Sequence, residues 1–526
     1  MKGLRKNMRI ASIVFIILFA LLGIYFIYAI NVYGGRWFNN PYNRRLQERK
    51  SNVVAGAIVD RTGAVLARTN SEGERQYSED KTTRLAVSHV VGDGSGLTST
   101  GAENFLANYL LGFNNNVFER VYQQFSGGKA RGSDVKLTID ADLSAYVSEV
   151  MGKYDGAVVL LNYKTGEVLS MVSHPMYDPN KITTEGTESF AKTALVNRAT
   201  MGRYTPGSVF KIITTTAGIR YIPNATERTW TGDGPLVYDA KTRNFLPDVL
   251  ITQAEDKRLR EEQQNKPAPT PTPDEEADED GASVPDEEKE TGGILDNRLL
   301  LRNYQSNYFG TITLERAFAK SCNNTMARIA MEVGPDKMAK TAKDLGFDTD
   351  FLFHDMVVYG SQYDRGKNQY DLSWSSVGQY KDLVTPMHMA MIAGAIGNDG
   401  VMMEPKLLRS VINTRQHETL MLKPKTYSQT FSAEEAEILT EYMRTTITDG
   451  TGSAAAISGV KVCGKTGTAE VSSDKKVGNH AWFVGFIDGE DHPLAIAVVL
   501  EHAGSGGGKA APVAGKVLQR AIKAGY

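Results

Sequence analysis

The stretch Tyr204-Thr-Pro-Gly-Ser208-Val-Phe-Lys211-Ile-Ile-Thr-Thr-Thr-Ala-Gly218 decides how the rest of the chain is read. Pro206-Gly207 predicts a turn, and the apolar run after it has helical spacing. Ser208 then falls in the first turn of a helix, with Lys211 three residues on along the same face. A hydroxyl nucleophile would stand beside an amine able to take its proton. The free N–H groups of a first helical turn point outward, where they stabilise a developing oxyanion. The string alone decides little, because Ser-x-x-Lys also starts at Ser78, Ser126, Ser133, Ser189, Ser458, Ser472 and Ser473. Most of those lie in charged or Gly-rich segments that read as solvated loops.

Working outward, the 526 residues exceed one ordinary domain. Hydrophobic content of 41% and charged content of 23% are those of a globular protein, and a net charge of −2 argues against nucleic-acid binding. Cys322 and Cys463 make no disulfide framework, and without CxxC or HExxH spacing no metal site is expected. No cofactor is expected either. Ile10 to Ile30 is an uncharged apolar run of about 30 Å as a helix, enough to span a bilayer. Lys2, Arg5, Lys6 and Arg9 precede it, predicting a cytoplasmic tail over 1–9 and everything after residue 30 outside the cytoplasm. The run is longer than a signal-peptide core and no small-x-small cleavage site follows, so an uncleaved anchor is preferred.

Gly56 to Ala67 alternates around a Thr-Gly turn and predicts a β-hairpin. Gly101 to Gly112 has helical spacing, with Thr100 and Glu103 at capping-box positions. Residues 31–150 are expected to form a small, mostly β spacer or docking module. Gly132 to Asp140 reads as a strand leading into a helix. Gly156 to Val172 reads as two strands joined at Lys164-Thr-Gly166, the first a continuous apolar run. Residues 253–292 hold fourteen acidic against five basic residues, a run of Thr-Pro repeats and no aromatic residue, so they predict a disordered acidic insertion. Helices follow from Leu314, from Met326, after Thr385-Pro386 and after Ser432, with His388 assigned to packing. Three late strands (460–471, 480–487, 494–500) and a helix from Ala511 close the chain. That order predicts one sheet assembled from both ends of a 151–526 domain, with helices on its faces.

Three motifs occur in a fixed order: Ser208-x-x-Lys211, Ser321-x-Asn323 and Lys465-Thr-Gly467. Each string alone is weak, and the ordered triple is strong. The chemistry accounts for the residue types. Ser208 attacks a carbonyl to give an acyl-enzyme. Lys211 serves as base only when neutral, so burial and a neighbouring cation, Lys465, must lower its pKa. Ser321 relays a proton to the leaving amine, and the Asn323 amide holds a substrate peptide group. Gly467 leaves room for a peptide laid along the strand, while Thr466 and Thr468 offer hydroxyls to a carboxylate. The N–H groups of Ser208 and Thr468 form the expected oxyanion hole.

With these motifs the chain resembles the penicillin-binding proteins, specifically the monofunctional class B D,D-transpeptidases. The likeness also covers the anchor, Gly56–Ala67, Gly132–Asp140, Val384-Thr-Pro-Met-His-Met-Ala390 and Lys465–Glu470 with His480–Phe486. It implies an α/β penicillin-recognising transpeptidase domain, an antiparallel sheet with helices on its faces plus a helical subdomain. A transmembrane helix and a pedestal domain would precede it. It further implies acylation by D-Ala-D-Ala stem peptides, release of D-Ala, cross-linking to a neighbouring amine, and capture by β-lactams. A membrane glycosyltransferase of the SEDS type is the implied partner, and the bacterial cell membrane the implied location. The acidic insertion departs from the family pattern, and Tyr380 stands where relatives often carry glycine. Cys322 and Cys463 border the presumed cleft, with free packing cysteines favoured over a disulfide. Rival readings are a D,D-carboxypeptidase, which passes the same acyl group to water, a serine β-lactamase and a non-catalytic β-lactam sensor. No Glu-x-x-Leu-Asn string supports the β-lactamase, and Met1–Arg9 leave no effector domain for the sensor.

Overall fold

The computed structural model describes residues 2–38, 53–98, 100–113, 130–185, 190, 192–239, 244–245, 251–264, 298–303, 305, 307–472 and 477–526. The N-terminal apolar run lies in helix α1, Lys2–Phe38. Its window Asn7–Phe26 is 20 residues long and apolar enough to cross a membrane, and none of it is buried against the protein. Leu, Ile and Phe displayed all round one unpartnered helix are what a lipid environment accommodates.

Strands β1 (Ile58–Val59) and β2 (Val65–Thr69) form the expected hairpin. Its turn is tied by Asp60, whose Oδ1 accepts from the N–H groups of Thr62 at 2.8 Å and of Gly63 and Ala64 at 2.9 Å. Next come β3 (Arg75–Tyr77) and β4 (Asp134–Leu137). The capping box expected at Thr100 and Glu103 does not form. Glu103 is buried and its Oε1 accepts from Arg75 Nε at 2.6 Å, and two short helices, Ala102–Phe105 and Ala107–Leu110, replace the single one. A half-buried guanidinium outcompetes the local backbone for that carboxylate.

Helix α2 (Ala141–Met151), strands β5 (Gly156–Asn162) and β6 (Val168–His174) and helix α3 (Lys211–Tyr221) lead towards the cleft. Strand β7 (Leu236–Asp239), helix α4 (Gln253–Gln264) and strand β8 (Arg298–Leu301) follow. The insertion expected as disordered over 253–292 therefore opens as a helix, and its remainder lies outside the described residues. Thr252 Oγ1 accepts from Glu255 N at 3.2 Å in front of that helix, a local start signal that overrides composition. Helices α5 (Leu314–Ala319), α6 (Asn323–Val333) and α7 (Pro386–Gly397) precede β9 (Leu408–Ile412) and β10 (Glu418–Met421). Helix α8 (Ala433–Asp449) carries the expected capping box of Ser432 and Glu435. Strands β11 (Val462–Ala469), β12 (His480–Ile487) and β13 (Leu494–Leu500) and helix α9 (Ala511–Lys523) end the chain.

The main sheet runs β11-β12-β13-β5-β6, antiparallel throughout, and joins the two ends of the region as expected. Period-2 alternation divides β13 between two cores. Leu494, Ile496 and Val498 pack with α2 and α9, while Ala495, Ala497 and Val499 face the core that includes α7. Each fully buried Val or Leu there contributes about 1.5–3 kcal/mol. His388 on α7 is a packing residue, with Nδ1 2.7 Å from Ser361 Oγ and Nε2 2.8 Å from Leu345 O, and burial pushes it down to about 4. The N-terminal sheet runs β10-β9-β4-β1-β2-β3. Two of its six strands come from beyond residue 400, so the sheet does not stop at the boundary expected near residue 150.

Candidate active site

Ser208 sits in a single 3₁₀ turn, Gly207–Phe210, that runs directly into α3. Residues 211–218 are all buried, which is why an apolar, Thr-rich run folds as a core helix. Three contacts fix the turn. Trp482 Nε1 donates to Thr205 O at 3.0 Å, Gly207 N donates to Gly378 O at 2.8 Å, and Thr214 Oγ1 donates to Ser376 O at 2.6 Å. Gly207 has φ +54°, and a Cβ there would lie 2.6 Å from Thr468 O, so only glycine lets the nucleophile turn meet β11 this closely.

Lys211 Nζ lies 2.7 Å from Ser321 O, 3.0 Å from Ser321 Oγ and 2.6 Å from Asn323 Oδ1. Lys465 Nζ reaches the same Ser321 Oγ at 3.1 Å and its neighbour Thr466 O at 3.0 Å. Four of the five residues singled out as catalytic, Lys211, Ser321, Asn323 and Lys465, thus converge, with one serine hydroxyl between two lysines, and Ser208 lines the same cleft as Ser321 and Asn323. Ser321 has φ +60°, a conformation that costs a non-glycine residue about 1–3 kcal/mol and that turns both its carbonyl and its hydroxyl to Lys211. Helix α6 starts at Asn323, three residues before the expected Met326, with Cys322 as its N-cap. Cys322 and Cys463 are free and buried.

Both lysines are fully buried. Burial pushes Lys211 down to about 7, against the opposing influence of Cys322. Burial also pushes Lys465 well down, and the neighbouring Lys211 charge adds to this. Repulsion belongs to the pair, so the site disfavours two ammonium ions around one hydroxyl. Of the two causes expected to lower Lys211, burial carries the shift, while Lys465 enters through the shared Ser321 oxygen. A neutral Lys211 donates to Ser321 O and Asn323 Oδ1 and accepts from the Ser321 hydroxyl, which in turn accepts from Lys465. Among the described residues the Ser208 hydroxyl has no hydrogen-bond partner. The Ser208–Lys211 contact is therefore not made in this state, and catalytic contacts often tighten only once substrate is bound.

Ser208, Asn323, Thr466 and Thr468 line one cleft of about 800 Å³. Strand β11 is the edge of the main sheet, so one side of its backbone is open to an added peptide strand. Gly467 contributes differently from expectation. A Cβ there would point at Pro206 O (2.9 Å), Trp482 Cβ (3.1 Å) and Val209 Cγ1 (3.1 Å), towards the nucleophile turn and not into the cleft. Its missing side chain lets β11 seat against Ser208. Arg302, Asn303, Gln379 and Glu470 also line the cleft and were not singled out in the sequence. Gln379 Nε2 donates to Thr468 O at 3.2 Å, and the Gly378-Gln pair before Tyr380 was its visible signal. Arg302 and Asn303 have no such signal.

The description "Penicillin binding protein transpeptidase domain" matches residues 156–234 and 277–519, more than half of the chain. The chain belongs to the penicillin-binding protein transpeptidase family. Among its relatives is the peptidoglycan D,D-transpeptidase PbpA of Mycolicibacterium smegmatis, 28% identical over 92% of this chain and 92% of that one. The peptidoglycan D,D-transpeptidase MrdA of Haemophilus influenzae is 26% identical, covering 87% of this chain and 66% of the relative. The solved imipenem acyl-enzyme complex of penicillin-binding protein A from Mycobacterium tuberculosis superposes with a TM-score of 0.71. It is 25% identical, covering 90% of this chain and 99% of that one. This penicillin-binding protein is of class B, with a transpeptidase fold and an N-terminal apolar helix.

Proposed function

We propose that this penicillin-binding protein is a peptidoglycan D,D-transpeptidase acting through an acyl-enzyme on Ser208, held in the cell membrane by α1 with its catalytic region outside. The observation that carries the reading is the Ser321 hydroxyl shared by Lys211 Nζ at 3.0 Å and Lys465 Nζ at 3.1 Å, behind a serine at the mouth of an edge-strand cleft. Such a network moves a proton between an attacking hydroxyl and a leaving amine.

A stem peptide ending in D-Ala-D-Ala lies along β11, its terminal carboxylate at Thr466 and Thr468 and one of its peptide groups at Asn323. The Ser208 oxygen attacks the penultimate D-Ala carbonyl carbon, and the hydroxyl proton passes to neutral Lys211. The N–H groups of Ser208 and Thr468 receive the oxyanion. The C–N bond then breaks, and the departing D-Ala amine takes a proton by way of Ser321. An amine on a neighbouring strand attacks the resulting ester, the C–O bond breaks, and Ser208 recovers its proton as the cross-link forms. A β-lactam follows the first half of this path, its ring C–N bond opening on Ser208.

Lys2, Arg5, Lys6 and Arg9 before the apolar window support the orientation. A SEDS-type glycosyltransferase in the same membrane is the partner that the class B likeness supports. The test gives purified protein a stem pentapeptide and an amine acceptor and follows products by mass spectrometry. The reading expects free D-Ala together with a cross-linked dimer. Release of D-Ala with hydrolysed tetrapeptide alone would make the chain a carboxypeptidase.

A further inference from the structure

The family match stops at residue 234 and resumes at 277, passing over β7, α4 and the turns around them. We propose that β7 and α4 are part of the active-site scaffold, with Asp256 a positioning residue that holds Arg302 and, through the Arg302 carbonyl, the amide of Asn323. The inference rests on the reading of Ser208 as the acylated residue.

Asp256 is the one buried residue of α4 among those whose exposure is described, the others being exposed. An acid on a polar helix is buried only against a cation, and its Oδ1 accepts from Arg302 Nε at 2.7 Å. Arg302 Nη2 is buried with no partner among the described residues, so the Asp256 contact is what seats the guanidinium. Arg302 directly follows β8, whose residues 298–301 pair with β7, Leu301 opposite Leu236 and Arg298 opposite Asp239. Leu236, Tyr238, Leu301 and Ala327 then share one apolar cluster, which lays both strands on α6. Helix α4 thus holds the Arg302 side chain, while β7 holds the strand that leads into it.

Those two residues govern Asn323. Arg302 O accepts from Asn323 Nδ2 at 2.7 Å, while Asn303 Oδ1 accepts from the backbone N–H groups of Asn323 at 2.8 Å and Asn324 at 3.1 Å. An amide whose NH₂ end is held by a carbonyl presents its oxygen at the other end. That oxygen is the one 2.6 Å from Lys211 Nζ. The chain of contacts runs from Asp256 to Arg302 to Asn323 to Lys211, four residues drawn from α4, the end of β8, α6 and α3. Without the Asp256 charge, the Arg302 backbone loses its seat and the Asn323 amide loses the constraint on its orientation.

The test uses the full chain in detergent and measures the second-order rate of acylation by a fluorescent penicillin from pH 5 to 9, with thermal unfolding in parallel. Asp256→Asn should slow acylation about tenfold or more, since small misplacements near a reacting group have large effects. Its acid limb should also move to lower pH, because a loosened Oδ1 no longer favours the Lys211 ammonium. Asp256→Glu should recover part of the rate, and Glu261→Gln on the exposed face of α4 should leave rate and profile unchanged. A variant that only melts earlier, with wild-type rate and pH profile in its folded form, overturns the proposal. If Asp256→Asn shows no cooperative unfolding, Asp256→Asn/Arg302→Met removes both charges and takes its place, a wild-type rate again being the contrary result. A wild-type chain that takes no label overturns the reading of Ser208 and this proposal with it. A labelled wild type with an unaffected Asp256→Asn overturns this proposal alone.

Discussion

The two walls of the cleft are built by different means. On one side the Ser208 turn meets β11 through Gly207 and Gly467 and the backbone of Gly378 through Gly207, with Trp482 pinning the turn from behind. On the other side the Ser321–Asn323 turn is held largely by side chains: Lys211 and Lys465 from within, and the Asn303 amide together with the Arg302 carbonyl from the flank. A wall of close backbone contacts is set by steric exclusion and tolerates no added atom. A wall of charged and amide groups is set by protonation state and partner orientation, so it is tunable and depends on its neighbours.

The contrast is sharpest in how each wall should fail. Lys211→Met removes the amine and keeps the bulk, and acylation by a fluorescent penicillin should drop about a thousandfold, the usual range for a lost general base. A loss below tenfold would mean that Lys211 serves packing only. Gly467→Ala tests the backbone wall: its Cβ would stand 2.9 Å from Pro206 O, displacing the nucleophile turn. Acylation should fall about a hundredfold even though the added methyl points away from the cleft. Weaker stem-peptide binding with an unchanged rate of chemistry would return Gly467 to its expected role beside the substrate.

Solution pH separates the walls without mutation. Lys211 is pushed down to about 7, so its basic form is lost as pH falls through that value. The acylation rate should decline about tenfold per unit below pH 7 and level off above it. A profile flat from pH 5 to 9 would remove the neutral lysine from the account. The smallest effect is expected at the flank. Asn303→Ala leaves the N–H groups of Asn323 and Asn324 without their acceptor, which should destabilise the protein by about 1–3 kcal/mol and slow acylation a few-fold. Equilibrium unfolding alongside the labelling rate measures both.

Legibility in the sequence followed the same division. Glycine and proline punctuation, hydrophobic periodicity and the ordered motifs pointed to the five-stranded sheet, the Ser208 turn and the convergence of Lys211, Ser321, Asn323 and Lys465. Those signals are local, each written in a few neighbouring residues. Arg302 and Asn303 escaped notice because their partners lie 46 and 20 residues away, Arg302 with Asp256 and Asn303 with Asn323. Nothing in their immediate neighbours marks them. Glu103 was misread as a cap for the same reason, since Arg75 lies 28 residues away. Strands β9 and β10 joined the N-terminal sheet because a sheet edge recruits whatever segment the fold brings beside it, and sequence position does not limit that choice. Gly467 shows a further kind of gap: the residue was singled out, and only the direction of its missing Cβ revealed which side of the strand needed it.

The central claim, that Ser208 carries the acyl group, is tested most directly by mass spectrometry of the penicillin-treated full chain. The account predicts one adduct, on the peptide containing Ser208, absent from a folded Ser208→Ala variant and present in Ser472→Ala. An adduct that persists in Ser208→Ala, or that maps to another serine, would contradict it.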